Sequence, residues 1–205
     1  MRTILFLSAL SAALLVASAG TAAAPQSVTI AVSRPSVVYG GSVSLSGKVS
    51  DSKAGEKVDV LAQPFGTSSS SVLTTVDTTS GGHWSDVVQP TIETGYQARW
   101  KSATSSIVTV KVRPLVTLTL VSLSTGGFST KVTAARAFTG KFVLVQRLTS
   151  TGVTTLKKVT LDSSSSATFR VRLHRGRSRL RIVMPTSQAA PGYITGMSKV
   201  LAVRR

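Results

Sequence analysis

Cysteine is absent from this 205-residue chain, so no disulfide can form and no lipid anchor can be attached through a cysteine at a processing site. Asparagine is absent too, which removes every N-x-Ser/Thr glycosylation acceptor. Carboxylates nearly vanish from the second half, where Asp162 stands alone. Acid/base chemistry with paired carboxylates needs two of them about one bond, so that half cannot perform it. With no Asn, no Glu and a lone Asp in a turn, it also lacks the set needed for a Lys–Asn or Lys–Asp isopeptide crosslink assisted by a further acidic residue. No long apolar run follows the N-terminal one. The closing Val203-Arg204-Arg205 therefore has no hydrophobic tail before it, and free secretion without a transmembrane segment is the simplest expectation.

What is present begins with a short positive head, Met1-Arg2-Thr3, and an apolar run from Ile4 to Val16. Ala17-Ser18-Ala19 then supplies the small residues a signal peptidase reads, so residues 1–19 are expected to be a cleaved signal peptide. Cleavage after Ala24 is the alternative, disfavoured because it would leave Pro25 at the first mature position. Beyond it the chain is written twice. Lys48-Val49 reads again at Lys131-Val132, and the stretch Tyr96 to Trp100 reads again at Leu180 to Met184, at offsets of 83 and 84 residues. Such a period predicts two copies of one domain, at 26–114 and 115–205, each large enough for a modest core.

Both copies alternate apolar and polar residues in short Val-, Ile- and Thr-rich runs punctuated by Gly, Pro and Ser clusters, the pattern of a β-sandwich. In the first, Val28–Val32, Val43–Leu45, Lys57–Val60, Tyr96–Trp100 and Ile107–Val112 are expected strands. Seven are expected in the second, the count of a constant-type immunoglobulin sandwich. Ser68–Ser71 and Ser163–Ser166 have lengths suited to hairpin loops. Only Arg113-Pro114 separates the copies, which predicts a semi-rigid joint.

Tyr39-Gly40-Gly41-Ser42-Val43-Ser44-Leu45-Ser46-Gly47-Lys48-Val49 resembles the opening of secreted bacterial Ig-like repeats. The resemblance extends through Gly81-Gly82-His83-Trp84, Tyr96–Trp100 and Ser106–Pro114, nearly the whole first copy. The second is more divergent. It lacks the Tyr-Gly opening and the Gly-x-aromatic step, with Phe169 holding the corresponding aromatic place, while Pro191-Gly192-Tyr193 and Gly196 resemble a loop before the last strand of related domains. The resemblance implies an all-β fold of two tandem immunoglobulin-like β-sandwich domains behind the signal peptide. It further implies a non-catalytic extracellular module, and it carries no ligand site.

No catalytic, cofactor or metal constellation emerges. His83 and Asp86 are three apart on a strand and face opposite sides, so they do not converge on a metal. There is no G-x-S-x-G elbow, no D-x-D calcium cluster and no phosphate-binding glycine loop. Charge is the departure. Residues 26–114 carry eight Lys/Arg against six Asp/Glu, leaving +2, whereas residues 115–205 carry fifteen against one, leaving +14. Arg2 completes the total of +17. The density peaks at Arg170, Arg172, Arg175, Arg177, Arg179 and Arg181. Phe169, Val171 and Leu173, then Leu180, Ile182 and Met184, take the inward phase, so Arg170, Arg172, Arg179 and Arg181 are expected to project into solvent.

Two meanings are open. The six arginines can attract a polyanion, such as an anionic cell-wall polymer, through guanidinium forks that fit phosphate and carboxylate oxygens. Alternatively they block edge pairing and keep an exported protein soluble, and placement on opposite sheets would dilute them. Base-specific nucleic-acid recognition is not expected, because Phe128, Phe138, Phe142, Phe169 and Tyr193 are few and mostly inward. The expected function is thus a secreted, non-enzymatic interaction or structural protein of the envelope or extracellular space. The rival is an accessory or carbohydrate-binding module of a wall-active hydrolase, which would need Trp84 or Trp100 as an exposed platform; both fall on the inward phase.

Overall fold

Strand side chains alternate sides, so a run with valine at every second position can bury one face only against a second sheet. The computed structural model describes residues 25–205; the expected signal segment lies outside the described residues. The first half contributes β1 (Ala31–Val32), β2 (Ser36–Val38), β3 (Val43–Lys48), β4 (Lys57–Pro64), β5 (Ser71–Asp77), β6 (His83–Val88), β7 (Thr94–Trp100), β8 (Ala103–Thr104) and β9 (Val108–Arg113). The second contributes β10 (Leu115–Ser122), β11 (Gly127–Thr133), β12 (Phe142–Thr149), β13 (Gly152–Thr160), β14 (Ser166–Arg170), β15 (Arg177–Met184), β16 (Gly196–Met197) and β17 (Leu201–Arg204). No sheet mixes strands from the two sides of Pro114. The fold is all-β, two immunoglobulin-like sandwiches in tandem.

The sheets are β1-β3-β6 facing β2-β9-β7-β4-β5, and β10-β11-β14 facing β13-β12-β15 with β16 and β17 both on β15. Pairing is antiparallel except between β2 and β9. The allocation differs from the constant-type sandwich in one strand, the fourth: β5 and β13 stay beside β4 and β12 instead of crossing to the other sheet. In the second copy the reason is local. Thr149 pairs with Gly152, so a two-residue hairpin turns the chain straight back onto the same sheet. Ser68–Ser71 lies in the equivalent hairpin of the first copy, as expected. Ser163–Ser166 instead carries the chain from β13 to β14, on the opposite sheet.

The expected phases hold. Tyr96, Ala98, Trp100, Leu180, Ile182 and Met184 are buried, and Arg99 and Arg179 are exposed. Gln97 and Arg181 are half-buried because they are engaged: Gln97 donates to the Ser105 carbonyl at 2.7 Å, and Arg181 Nε to Gln146 Oε1 at 2.9 Å. Register also shows how the copies differ in filling. Gly47 faces Trp84 in the first and Thr130 faces Ala167 in the second, so a large residue against none has become two of middling size. Phe169 therefore does not hold the place of Trp84. It pairs with Phe128 and stacks on it at 5.9 Å.

Backbone features recur where side chains do not. The Val49 N–H donates to the Gly82 carbonyl, and the Val132 N–H to the Ser165 carbonyl, both at 2.9 Å. Gly82 has φ 75° and Ser165 φ 58°, so the turn survives in the second copy at the strain cost of a non-glycine in left-handed conformation. Likewise the buried Ala98 and Ile182 N–H groups donate at 2.9 Å to Ser105 Oγ and Ser198 Oγ, and each hydroxyl donates onward to the next residue's carbonyl. Each serine thereby replaces a missing strand partner for the inner strand β7 or β15.

The joint is packed. The loop after β15 reaches the first sandwich, where the Tyr193 hydroxyl donates to the Thr91 carbonyl at 2.7 Å while accepting from the Ala135 N–H at 3.1 Å. The Glu93 N–H donates to the Gly192 carbonyl and the Ile194 N–H to the Val112 carbonyl, both at 3.0 Å, and Arg113 Nη1 donates to the Thr195 carbonyl at 2.9 Å. Gly192 sits at φ 79°, and a Cβ there would lie 2.7 Å from the Ile92 side chain.

Two outcomes are expected. Ser105→Ala and Ser198→Ala each orphan a buried N–H and should each cost about 1–3 kcal/mol in equilibrium unfolding. Gly192→Val should push the two sandwiches apart, read as a broadened distribution of inter-domain angles in X-ray scattering, with little change inside either sheet.

Candidate functional site

Strand direction gathers the basic residues at one end of the second sandwich. Pairing of Leu115 with Thr133, Phe142 with Thr160 and Met184 with Gly196 marks the end that meets the first sandwich. Pairing of Ser122 with Gly127, Thr149 with Gly152 and Arg177 with Arg204 marks the far end. Arg170 closes β14, whose ladder stops because β11 begins at Gly127; the Val171 N–H makes the last bond, to the Gly126 carbonyl. Val171 and Leu173 nevertheless stay buried, so the expected alternation continues past the end of the strand with Arg172 and His174 outward. The β14–β15 loop is tied down by reciprocal bonds between Gly176 and Arg205.

Arg170 and Arg172 line a cleft of about 280 Å³ together with Arg147, Lys157 and His174. Arg177 and Arg179 line a neighbouring cleft of about 510 Å³, again with Arg147 and His174. The expected arginines do belong to opposite sheets, on β14 and β15, yet the loop between them brings four of the six to one rim. Arg175 is exposed outside both clefts, and Arg181 is outside both and held by Gln146. Arg147 and Lys157 were not expected. The signal was available: Arg147 follows Val143 and Val145 on the core-facing phase of β12, where a cation is out of place.

Opposing charge is missing. The four ion pairs among the described residues are all in the first sandwich: Lys57–Asp77, Arg99–Asp59, and Lys101 with both Asp51 and Glu56. Asp162 lies at the end near the joint, its Oδ1 accepting from the Ser164 hydroxyl at 2.7 Å and from the Ser164 and Ser166 N–H groups at 2.9 Å. Those bonds, the Ser164 hydroxyl foremost, hold its carboxyl below the usual 3.8. Arg177 and Arg204 stand directly opposite on adjacent strands, a like-charge pair that costs stability.

A cleft of about 570 Å³ lies in the first sandwich over Gly47, His83 and Trp84 and is lined by no Lys or Arg. Trp84 and Trp100 are each only 2% exposed, so neither forms an aromatic platform; the Trp100 Nε1–H donates to Glu56 Oε2 at 3.0 Å. His83 is exposed and Asp86 half-buried, on opposite faces as expected. Among the described residues no group of three or more His, Asp or Glu could hold a metal ion, and no helix is long and apolar enough to cross a membrane.

No protein-family model matches the chain, and no curated protein does. Among solved structures it is similar to the crystal structure of a tetra-tandem repeat in the extending region of a large adhesion protein. That similarity is 13% identity and a TM-score of 0.36, over 87% of this chain and 49% of the other. The chain spans about half the length of that structure, and the fold assigned above rests on the sheet order.

Acid should separate the two sandwiches. The Arg99 guanidinium, then the Thr75 hydroxyl, holds the Asp59 carboxyl below 3.8. Its contribution is present above the ordinary carboxylate value and is lost as pH falls through the lowered one. Protonation removes six negative charges from residues 26–114 and only one from 115–205. Between about pH 4 and 2 the first sandwich should therefore lose stability before the second. Both tryptophans lie in the first, so their fluorescence should change at higher pH than the amide resonances of β11, β12 and β15.

Proposed function

We propose that this protein is an exported, non-enzymatic tandem Ig-like protein that attaches to an anionic polymer of the cell envelope through the far end of its second sandwich. The observation that carries the reading is the rim itself. Arg170, Arg172, Arg177 and Arg179 converge on two adjoining clefts, and no carboxylate among the described residues pairs with any cation of that sandwich. Solubility alone asks for dispersed charge and does not account for like-charged residues facing each other across β15 and β17. Export is supported by the pattern of residues 1–19. The packed joint supports a structural role for the first sandwich, which holds the basic end away from whatever lies on its other side. The carbohydrate-platform alternative loses its support with the burial of both tryptophans.

The test uses the full chain on heparin and on immobilised poly(glycerol phosphate). Changing Arg170, Arg172, Arg177 and Arg179 together to Ser should weaken binding about tenfold or more and flatten the dependence on salt. A control with the same loss of charge, Lys111, Lys131, Lys141 and Lys199 to Ser, should elute near the unaltered protein. Equal losses in both variants would mean that net charge alone is responsible, and the reading would fail.

A further inference from the structure

Arg147 occupies a position that the first copy gives to a small apolar residue. It stands opposite Leu180 on β15, as Ala62 stands opposite Tyr96 on β7, and Ala62 is 8% exposed. On its own strand it follows the fully buried Val143 and Val145 on the same face. The chain has thus placed a guanidinium where its repeat partner packs a methyl group, between the two sheets at the open end.

The guanidinium is incompletely satisfied. Nη2 donates to the Arg172 carbonyl at 2.9 Å, while Nε is shielded from solvent and has no acceptor. Among the described residues Trp84 Nε1 is the other shielded side-chain atom without a partner, but it is neutral. Arg147 as a whole is half-buried and only its Nε is shut off from solvent. A cation partly withdrawn from water without counter-charge costs stability, and replacing it by an apolar residue of similar size can stabilise a fold. Arg147 also lines both clefts and, with His174, forms the wall they share: Lys157, Arg170 and Arg172 lie on one side and Arg177 and Arg179 on the other. An anion with oxygens for several donors at once is the chemistry that matches such a cluster.

We propose that Arg147 anchors a discrete site for one tetrahedral oxyanion, a phosphate or sulfate group, at the centre of the basic rim. This rests on the polyanion reading and deepens it: the polymer is gripped at one group, with the outer arginines guiding the groups on either side. Bidentate guanidinium contacts supply the direction that a diffuse positive surface lacks.

The test is calorimetric melting of the full chain in sodium phosphate, sodium sulfate and sodium chloride of equal ionic strength, with Arg147→Met, Arg147→Lys and Arg175→Ser. The unaltered protein should gain roughly 3 °C or more in saturating phosphate or sulfate over chloride, and whichever anion gives the larger shift identifies the ester class. Arg147→Met should melt higher than the unaltered protein in chloride and lose the oxyanion shift. Arg147→Lys keeps the charge without the fork and should retain only part of it, and Arg175→Ser should retain it all. An undiminished shift in Arg147→Met would overturn the proposal, as would a lower melting temperature in chloride, which would make Arg147 a structural tie to Arg172. If the unaltered protein binds heparin or poly(glycerol phosphate) and yet Arg147→Met and Arg175→Ser weaken it equally, the discrete site fails and the basic rim stands. If the unaltered protein binds neither polymer, the rim reading fails with it.

Discussion

Register in the second sandwich is governed by where its cations can go. With a single carboxylate, already bound by Ser164 and Ser166, a strand slipped by one residue would turn Arg179 and Arg181 into a space where nothing could neutralise them. Several kcal/mol for each unpaired inward charge rivals the roughly 5–15 kcal/mol that holds a whole domain together. The alternation of β15, with Leu180, Ile182 and Met184 fully buried, is therefore favoured from both faces: apolar residues gain by facing in, and arginines lose by it, a loss the fold accepts at the half-buried Arg147 of β12. A chain without disulfides relies on that exclusion, and on the borrowed hydroxyls of Ser105 and Ser198, to select one pairing.

Comparison of the copies separates what the fold requires from what has been altered upon it. The left-handed turn at Gly82 and Ser165 and the serine that satisfies β7 or β15 recur with the same bonds and nearly the same distances. Fillings do not recur. Trp84 against Gly47 becomes Ala167 against Thr130, a trade of volume within a core. Ala62 against Tyr96 becomes Arg147 against Leu180, which trades packing for charge. Only the second exchange has no packing explanation.

Much of the fold was legible because alternation is a local signal. The inward phases of β7, β14 and β15 were readable residue by residue. The side on which the fourth strand lies was not, since that depends on the two-residue turn at Ser150-Thr151 and on pairing energies between strands. β5 escaped notice because Val72 and Leu73 are adjacent and both exposed, so no period shows. For the site, the arginine-rich stretch was visible, but Arg147 and Lys157 come from a hairpin more than ten residues earlier in the chain and join the rim only when β12 pairs with β15. The departures of Arg175 and Arg181 from the rim are likewise matters of loop path and of a glutamine on the neighbouring strand.

The two clefts lie on either side of Arg147, one bordered by the end of β14 and the other by the start of β15, which belong to opposite sheets. A polymer following them must run across the sandwich, through its thickness, and not along its strands. Facing sheets are about 10 Å apart, so the footprint is short, on the order of a few repeat units. A molecule attached as proposed would stand on the polymer like a bristle. Copies could crowd side by side on one strand, and the packed joint at Gly192 and Tyr193 would hold each first sandwich upright, setting the thickness of the layer they form.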